Sequence, residues 1–378
     1  MSVRELTLDQ LGEVARGRSR HRPRDAAHLY GGPFPFIQTG DVKKANLYLT
    51  EFEQTYSEAG LSQSKLWPAG TLCITIAANI ADTAILAIDA CFPDSVIGFT
   101  TDPEQADTRF VKYLFDGILK TRYRSFTQGA AQDNLSQEKL LSIKFPVPEL
   151  RIQKRIADIL SAYDDLIENN RRRIALLEET ARLLYREWFV HFRFPGHEHV
   201  KIIDGIPEGW ERRTLGSTLN LQRGFDLPTG DRVPGDVPVY GSTGIVGEHK
   251  FAKVLFPTLI TGRSGSLGKV CFVDKPCWPL NTSLWVTEFT AVSIYFAYYM
   301  LSELNLSQFN GGASVPTLDR KVAHAAMVVV PPRKLGKLFD EQATLIFAQR
   351  KLLDQQNQKL AQARDLLLPR LMNGEIAV

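Results

Sequence analysis

The chain has 378 residues, 44% hydrophobic and 23% charged, with 45 basic against 42 acidic residues and a net charge of +3. This length supports two or three domains with proper cores. The near-balanced charge excludes a uniformly basic nucleic-acid coat, so a DNA partner would need positive charge concentrated on one face. No apolar run approaches the ~20 residues of a membrane span, and the opening MSVRELTLDQ carries no signal-peptide core, so the expected location is cytoplasmic.

The first stretch, residues 1–148, reads as an irregular, mostly β unit. Short apolar runs at Pro35–Gln38, Leu72–Ala77, Ala84–Ile88 and Lys144–Pro148 are bounded by Gly, Pro and Asp, the punctuation of short strands. One helix is predicted over Thr108–Leu119. The arginines Arg16, Arg18, Arg20, Arg22 and Arg24 could form a phosphate clamp or a solvated loop. Lys120 to Gln128 interleaves basic and aromatic residues, a modest nucleic-acid signal.

A run without Pro or Gly follows, Leu150–Trp188, with apolar or small residues at Ile152, Ile156, Ile159, Tyr163, Leu166, Ile174, Leu177, Ala181, Leu184 and Trp188. Alternating steps of four and three give the period of a helix burying one seam against another helix, interrupted by polar Asn170. Such a helix would reach roughly 55–60 Å, far beyond an ordinary core helix. It reads either as a plain bundle helix or as a ruler.

Phe194-Pro195-Gly196 stops it, and 194–207 reads as a linker. Strands are predicted next at Val237–Tyr240, Leu255–Thr261, Lys269–Val273, Leu284–Thr287 and Ala326–Val330, with a helix over Thr290–Leu304. Pro331-Pro332 precedes a second long helix, Lys337–Leu371, with Leu338, Leu345, Leu352, Leu360, Leu367 and Leu371 on one stripe. Gln342, Gln349 and Gln356, seven apart, form either a register-setting polar layer in the seam or its solvated flank.

The two halves repeat one plan. Leu11-Gly12 answers Leu215-Gly216, Arg16-Gly17 answers Arg223-Gly224, and Pro35–Gly40 answers Pro238–Gly244. Leu72–Thr75 matches Thr258–Thr261, Cys91-Phe92-Pro93 matches Cys277-Trp278-Pro279, and Gly129–Leu135 matches Gly312–Leu318. Six matches in the same order are unlikely to arise by chance.

Catalytic signatures are missing. There is no G-x-S-x-G elbow, HExxH or zinc-deaminase pattern, and the four cysteines form no CxxC pair. His197-Glu198-His199 with His191 lacks further ligands at helical spacing, so no metal is expected. Gly262–Val270 resembles a phosphate loop but has one residue too many before Gly268-Lys269, and Val270 where Ser or Thr must hold Mg²⁺. What remains are Gly-rich polar loops. Arg and Lys read guanine edges, Asn and Gln read adenine edges, and Ser or Thr serve either base or phosphate. The candidate DNA-binding residues are Gln38, Thr39, Lys43, Lys44, Asn79, Arg122, Arg124 and Gln128 in the first unit. In the second they are Tyr240, Ser242, Thr243, Arg263, Ser264, Ser266 and Lys269, where a tight β-turn with outward charges is the other reading for Arg263 and Lys269.

Taken together, the residues resemble the specificity subunit of Type I restriction–modification systems. The resemblance rests on Phe145-Pro146-Val147-Pro148 followed by Gln153–Leu160, on Asp164–Ile167, on the Phe194-Pro195-Gly196 linker, and on Ile206–Trp210 opening the second half. It extends to Tyr240–Gly247, Gly262–Val270, Asn281-Thr282 and Leu366–Ile376. It implies an α+β fold: two mixed, mostly β target recognition domains separated by two long antiparallel coiled-coil helices, with an internal pseudo-twofold repeat. The expected parts are a first recognition domain (1–148), a spacer helix (149–193), the linker (194–207), a second recognition domain (208–332) and a second spacer helix (333–378). The resemblance further implies a non-catalytic subunit binding a bipartite double-stranded DNA target. Its helices would dock two methyltransferase subunits, joined by a restriction translocase, with S-adenosylmethionine on the partner and no cofactor here. The first unit has Ala77–Asp82 where the second has its Gly/Ser/Arg loop, so the two half-sites should differ. The rival readings are a non-DNA adaptor scaffolding two proteins, an unrecognised nuclease or methyltransferase, and a specificity chain serving a fused methyltransferase–nuclease.

Overall fold

The computed structural model describes residues 3–77, 80–119, 136–312 and 314–378. The chain divides into two compact units: residues 1–172 with 354–378, and residues 173–353. Each takes its own stretch of both long helices.

Unit 1 is mixed, with two main sheets. Gly12–Arg16, Val96–Thr101, Leu72–Thr75, Thr83–Leu86 and Tyr48–Leu49 form the first, in that order. Gln54–Tyr56, Tyr30–Phe36, Ala90–Cys91 and Leu66–Trp67 form the second. Val3–Leu6 pairs antiparallel with Phe145–Pro148 just before the first long helix begins. Leu72–Thr75 and Thr83–Leu86 are buried at every position, because the long helix and Thr108–Leu114 cover one face and the second sheet the other. That explains their unbroken apolar sequence.

Unit 2 repeats the plan with fewer strands. Leu219–Arg223, Ser283–Phe289, Thr258–Gly262 and Val270–Val273 form one sheet, and Gly244–His249, Val237–Gly241 and Trp278–Pro279 the other. Glu211–Thr214 pairs with Met327–Val330 ahead of the second long helix, as Val3–Leu6 does with Phe145–Pro148. Even the parallel pairing recurs: Tyr30–Phe36 beside Ala90–Cys91, and Val237–Gly241 beside Trp278–Pro279.

The repeat therefore holds for the strands the two units share, while Tyr48–Leu49 and Leu66–Trp67 have no counterpart in unit 2, and three quoted matches slip. Leu11 lies five residues before Arg16, whereas Leu215 lies eight before Arg223. The counterpart of Leu215 is Leu8, since each opens the short helix after the first strand and each is fully buried. Arg16 faces Ile97 and Arg223 faces Leu284; those residues pair in turn with Ile74 and Thr261, so Leu72 corresponds to Leu259. Likewise Arg18 N–H donates to Phe92 O and Phe225 N–H to Pro279 O, which shifts Cys91-Phe92-Pro93 by one. A strand buried on both faces has no alternation to reveal its register. The match of Gly129–Leu135 falls outside the described residues.

The first long helix runs Leu150–Tyr185 and continues through a wider π-type turn, Arg186–Val190. The second spans Arg333–Met372. Within unit 1, Asp164 meets Arg364 and Asn170 Nδ2 donates to Asn357 Oδ1 at 3.0 Å. Within unit 2, Arg350 Nη1 pairs with Glu178 at 3.1 Å and Tyr185 packs on Phe339. In both units the second helix runs opposite to the first.

The buried faces decide between two readings and correct one expectation. Gln342, Gln349 and Gln356 are all exposed, the solvated flank and not a layer in the seam. The buried polar pair is Asn170 with Asn357, where Asn170 interrupted the apolar period. Leu338, Leu345 and Leu352 also face outward, because Leu335, Phe339, Ala343, Phe347 and Leu353 fill the seam. On the first helix Ile159 and Leu166 are exposed, while Leu160, Asp164 and Ile167 are buried.

The 194–207 segment is not a bare linker. Ile202–Ile203 and Ile206–Pro207 pair as a hairpin whose turn, Asp204-Gly205, has φ of 49° and 78°. Positive φ at both positions suits an Asp-Gly turn. Phe194 packs on Trp210 at 5.3 Å, seating the hairpin on unit 2. Among the described residues, no helix is long and apolar enough to cross a membrane.

Candidate nucleic-acid interface

In unit 2 the polar loops gather at one end of the two sheets. Gly241 pairs with Gly244, leaving Ser242-Thr243 as the tip of a two-residue hairpin, and Gly244 takes φ of 120°. Beside it lies the 262–269 loop. A Cβ on Gly262 would stand 1.9 Å from Ser266 O and 3.0 Å from Ser242 O, so only glycine lets the loop and the hairpin close this tightly. Lys269 Nζ donates to Thr243 O at 2.8 Å and ties the two together. Arg263 and Ser264 donate backbone N–H groups to Thr282 O at 2.9 and 3.1 Å, and Arg263 Nη1 donates to Asn281 O at 3.2 Å. On the other side Gly265 N–H donates to Pro316 O and Leu318 N–H to Arg263 O.

Six of the seven candidates in this unit are thus brought together. Thr243, Ser266 and Lys269 are exposed, and Ser242, Arg263 and Ser264 half-buried. The two readings of Arg263 and Lys269 merge: both lie in a tight turn, and both also present cations at the loop cluster.

Tyr240 does not belong with them. Its side chain is only 8% exposed and packs among Val254, Ile260, Val273, Cys277 and Trp285. Burial pushes its hydroxyl pKa up to about 12. It is a core residue, in a strand buried at four of its five positions and two residues before the hairpin tip.

Unit 1 replaces the hairpin by a short helix, Thr39–Lys44. Gln38 N–H donates to Asp41 Oδ2 at 2.8 Å at its start, and the Gln38 amide bonds to Gln54 at 2.6 Å. Gln38 and Lys43 are exposed and Thr39 half-buried. Lys44 pairs with Glu53 at 2.5 Å, an exposed ion pair that holds its pKa up. Its charge is partly spent within the protein. Asn79, Arg122, Arg124 and Gln128 lie outside the described residues.

The loops after the two equivalent strands have equal length: Ile74 pairs with Thr83 and Thr261 with Val270, nine positions apart in each case. Position by position, Arg263 corresponds to Ile76, Ser264 to Ala77 and Lys269 to Asp82. The backbone confirms the register, since Ile76 N–H bonds to Ser95 O as Arg263 N–H bonds to Thr282 O. The two units therefore present the same scaffold with opposite chemistry at this loop. A cation meets phosphate or guanine acceptors; an aspartate repels phosphate and accepts from donors.

Asp94 and Asp226 were not singled out from sequence, and Arg16 and Arg24 were named only as members of a possible phosphate clamp. Arg24 grips the Asp94 carboxylate at 2.9 and 3.0 Å, and Arg16 Nε donates to Asp94 O at 3.1 Å. In unit 2 the amide of Asn281 donates to Asp226, which also lies 3.5 Å from Arg223. Asp94 and Asn281 occupy equivalent places, each two residues before the strand's first fully paired residue (Val96 and Ser283). A strict register of the repeat would have found them.

Comparison with known proteins places this geometry among relatives of one kind. A family model described as the Type I restriction modification DNA specificity domain matches residues 4–179. The Type I restriction enzyme MjaIX specificity subunit of Methanocaldococcus jannaschii is 25% identical, covering 98% of this chain and 93% of its own length. The HindI specificity subunit of Haemophilus influenzae is 22% identical, covering 97% and 98%. The crystal structure of a Type I restriction–modification S subunit from M. genitalium shares the fold at a TM-score of 0.58 and 18% identity, over 98% of this chain and 96% of that one.

Proposed function

We propose, since this chain belongs to the specificity-subunit family of Type I restriction–modification systems, that its two units read two different halves of a bipartite double-stranded DNA target. Subunits of this family are non-catalytic DNA-recognition components, so the chemistry resides on partners. The observation that carries the reading is the pair of equal-length loops on equivalent strands with exchanged chemistry: Arg263, Ser264 and Lys269 against Ile76, Ala77 and Asp82. One scaffold used twice with different side chains is what reading two different words requires.

The long helices then serve two purposes: they space the recognition domains, and they dock two methyltransferase subunits that carry S-adenosylmethionine, with a restriction translocase joining for cleavage. Docking is supported by the outward leucines of the second helix. Leu345 and Leu352, 67% and 54% exposed, stand seven residues apart on one face, the pattern of an unpartnered coiled-coil seam. A double Leu345→Glu/Leu352→Glu chain is expected to stay folded, since both side chains are already in solvent, and to lose co-purification with its methyltransferase. Retained co-purification would remove this face from the docking surface.

DNA reading is tested on the methyltransferase-bound complex by titrating target duplex at rising salt. Phosphate contact makes log K fall linearly with log salt, and about six contacts cost on the order of 10³ in affinity between 50 and 200 mM. A non-DNA adaptor would show no saturable, salt-dependent binding.

A further inference from the structure

We infer that Arg16 and Arg263 hold the same functional place in the two units, each delivering a guanidinium to a guanine of its own half-site, although they come from different strands. This rests on the reading of the two units as recognition domains. By strand register Arg16 corresponds to Arg223, each followed by the glycine whose N–H bonds to Val96 O or Ser283 O, at 2.9 and 3.1 Å. Arg263 corresponds to Ile76, which is buried. Yet the carbonyl at the equivalent positions Asp94 and Asn281 accepts a guanidinium in both units, from Arg16 Nε at 3.1 Å and from Arg263 Nη1 at 3.2 Å. One place is filled by two unrelated routes.

The local charges agree. In each neighbourhood an acid is met by a different arginine: Arg24 on Asp94, and Arg223 at 3.5 Å from Asp226. Among the described residues, neither Arg16 nor Arg263 forms an ion pair. Each is thus anchored by a neutral carbonyl that fixes its direction without cancelling its charge, and its other N–H groups remain to donate. A guanidinium held in this way suits the O6 and N7 acceptors of guanine. In unit 1, then, the 76–82 loop keeps the register of the Arg263 loop, but the guanidinium comes from the end of the first sheet strand.

The test is the methylated motif of cells carrying the methyltransferase with wild-type, Arg16→Ala or Arg263→Ala chains. Each substitution should relax one base position, reducing discrimination there roughly 5- to 150-fold, with Arg16→Ala acting in one half of the motif and Arg263→Ala in the other. Arg→Lys variants, which keep the charge and lose the fork, should relax the same positions. The inference is overturned if Arg16→Ala leaves the motif unchanged, if both substitutions relax the same half, or if methylation falls at all sites with no base relaxed, the signature of phosphate contact. Because Arg16 is exposed, an unaltered melting midpoint is expected and separates lost recognition from lost fold. A wild-type motif that is not bipartite would instead defeat the underlying reading.

Discussion

Replacing Asp164 with alanine is expected to destabilise unit 1 by about 3–5 kcal/mol. The Asp164 side chain is 2% exposed and sits between the two long helices. One of its oxygens meets Arg364 from the second helix, and the other accepts from the Tyr113 hydroxyl at 2.5 Å. Burial, and then the Asp164 charge, hold the Tyr113 hydroxyl well above its usual pKa, so it stays a proton donor. Removing the carboxylate leaves a guanidinium that is only 22% exposed with just its exposed neighbour Asp365, at 2.7 Å, and leaves a buried hydroxyl without its acceptor. The cost appears as a lower urea midpoint for the unit 1 transition. A loss under 1 kcal/mol would show that water replaces the carboxylate and that the triad does not hold the helices.

The same triad tests what buried polarity is for. Replacing Tyr113, Asp164 and Arg364 together by Phe, Leu and Met should cost far less than Asp164→Ala, because no buried group is left unpaired and only the exposed Asp365 loses a partner. With Asn170 and Asn357 still paired 3.0 Å apart, alignment of the helices would persist.

Much of this architecture was legible, and the misses have identifiable causes. The strands at Leu72–Thr75, Val237–Gly241 and Met327–Val330 declare themselves because their β-rich apolar runs are bounded by breakers. Glu211–Thr214 and Gly12–Arg16 do not, since they are polar or half-exposed and exist through their partners, Met327–Val330 and Val96–Thr101. The helices were plain from periodicity, but periodicity finds an apolar face without saying which face is covered. On the second helix two apolar sets interleave. Phe339, Ala343 and Phe347 pack inward, and the leucines at 338, 345 and 352 were left outside. Asp164 took an interior place that a hydrophobic pattern assigns to Leu166 or Tyr163. The hairpin at Asp204-Gly205 could have been read from its turn dipeptide.

At the candidate interface, composition found the Gly-rich loops and missed their supports. Tyr240 was read both as the end of a strand and as a candidate of the adjoining loop, and its side chain lies in the core. Arg16 was seen only as one of five alternating arginines, because its role depends on the Asp94 carbonyl 78 residues away. Long-range contacts of this kind leave no local pattern.

The central claim is that the paired helices set the distance between two DNA words. The unit boundary crosses the first helix between Arg172 and Arg173 and the second between Leu353 and Asp354. Four residues inserted at both points keep every contact within each unit and add ~6 Å of helix, against ~3.4 Å per base pair of duplex. Four residues also rotate one side against the other by only about 40° beyond a full turn, so both units can still follow the DNA. The measurement is the methylated motif of cells carrying the lengthened chain with its methyltransferase. The account predicts both half-sites unchanged and the unread spacer longer by one or two base pairs; an unchanged spacer with active methylation would contradict it.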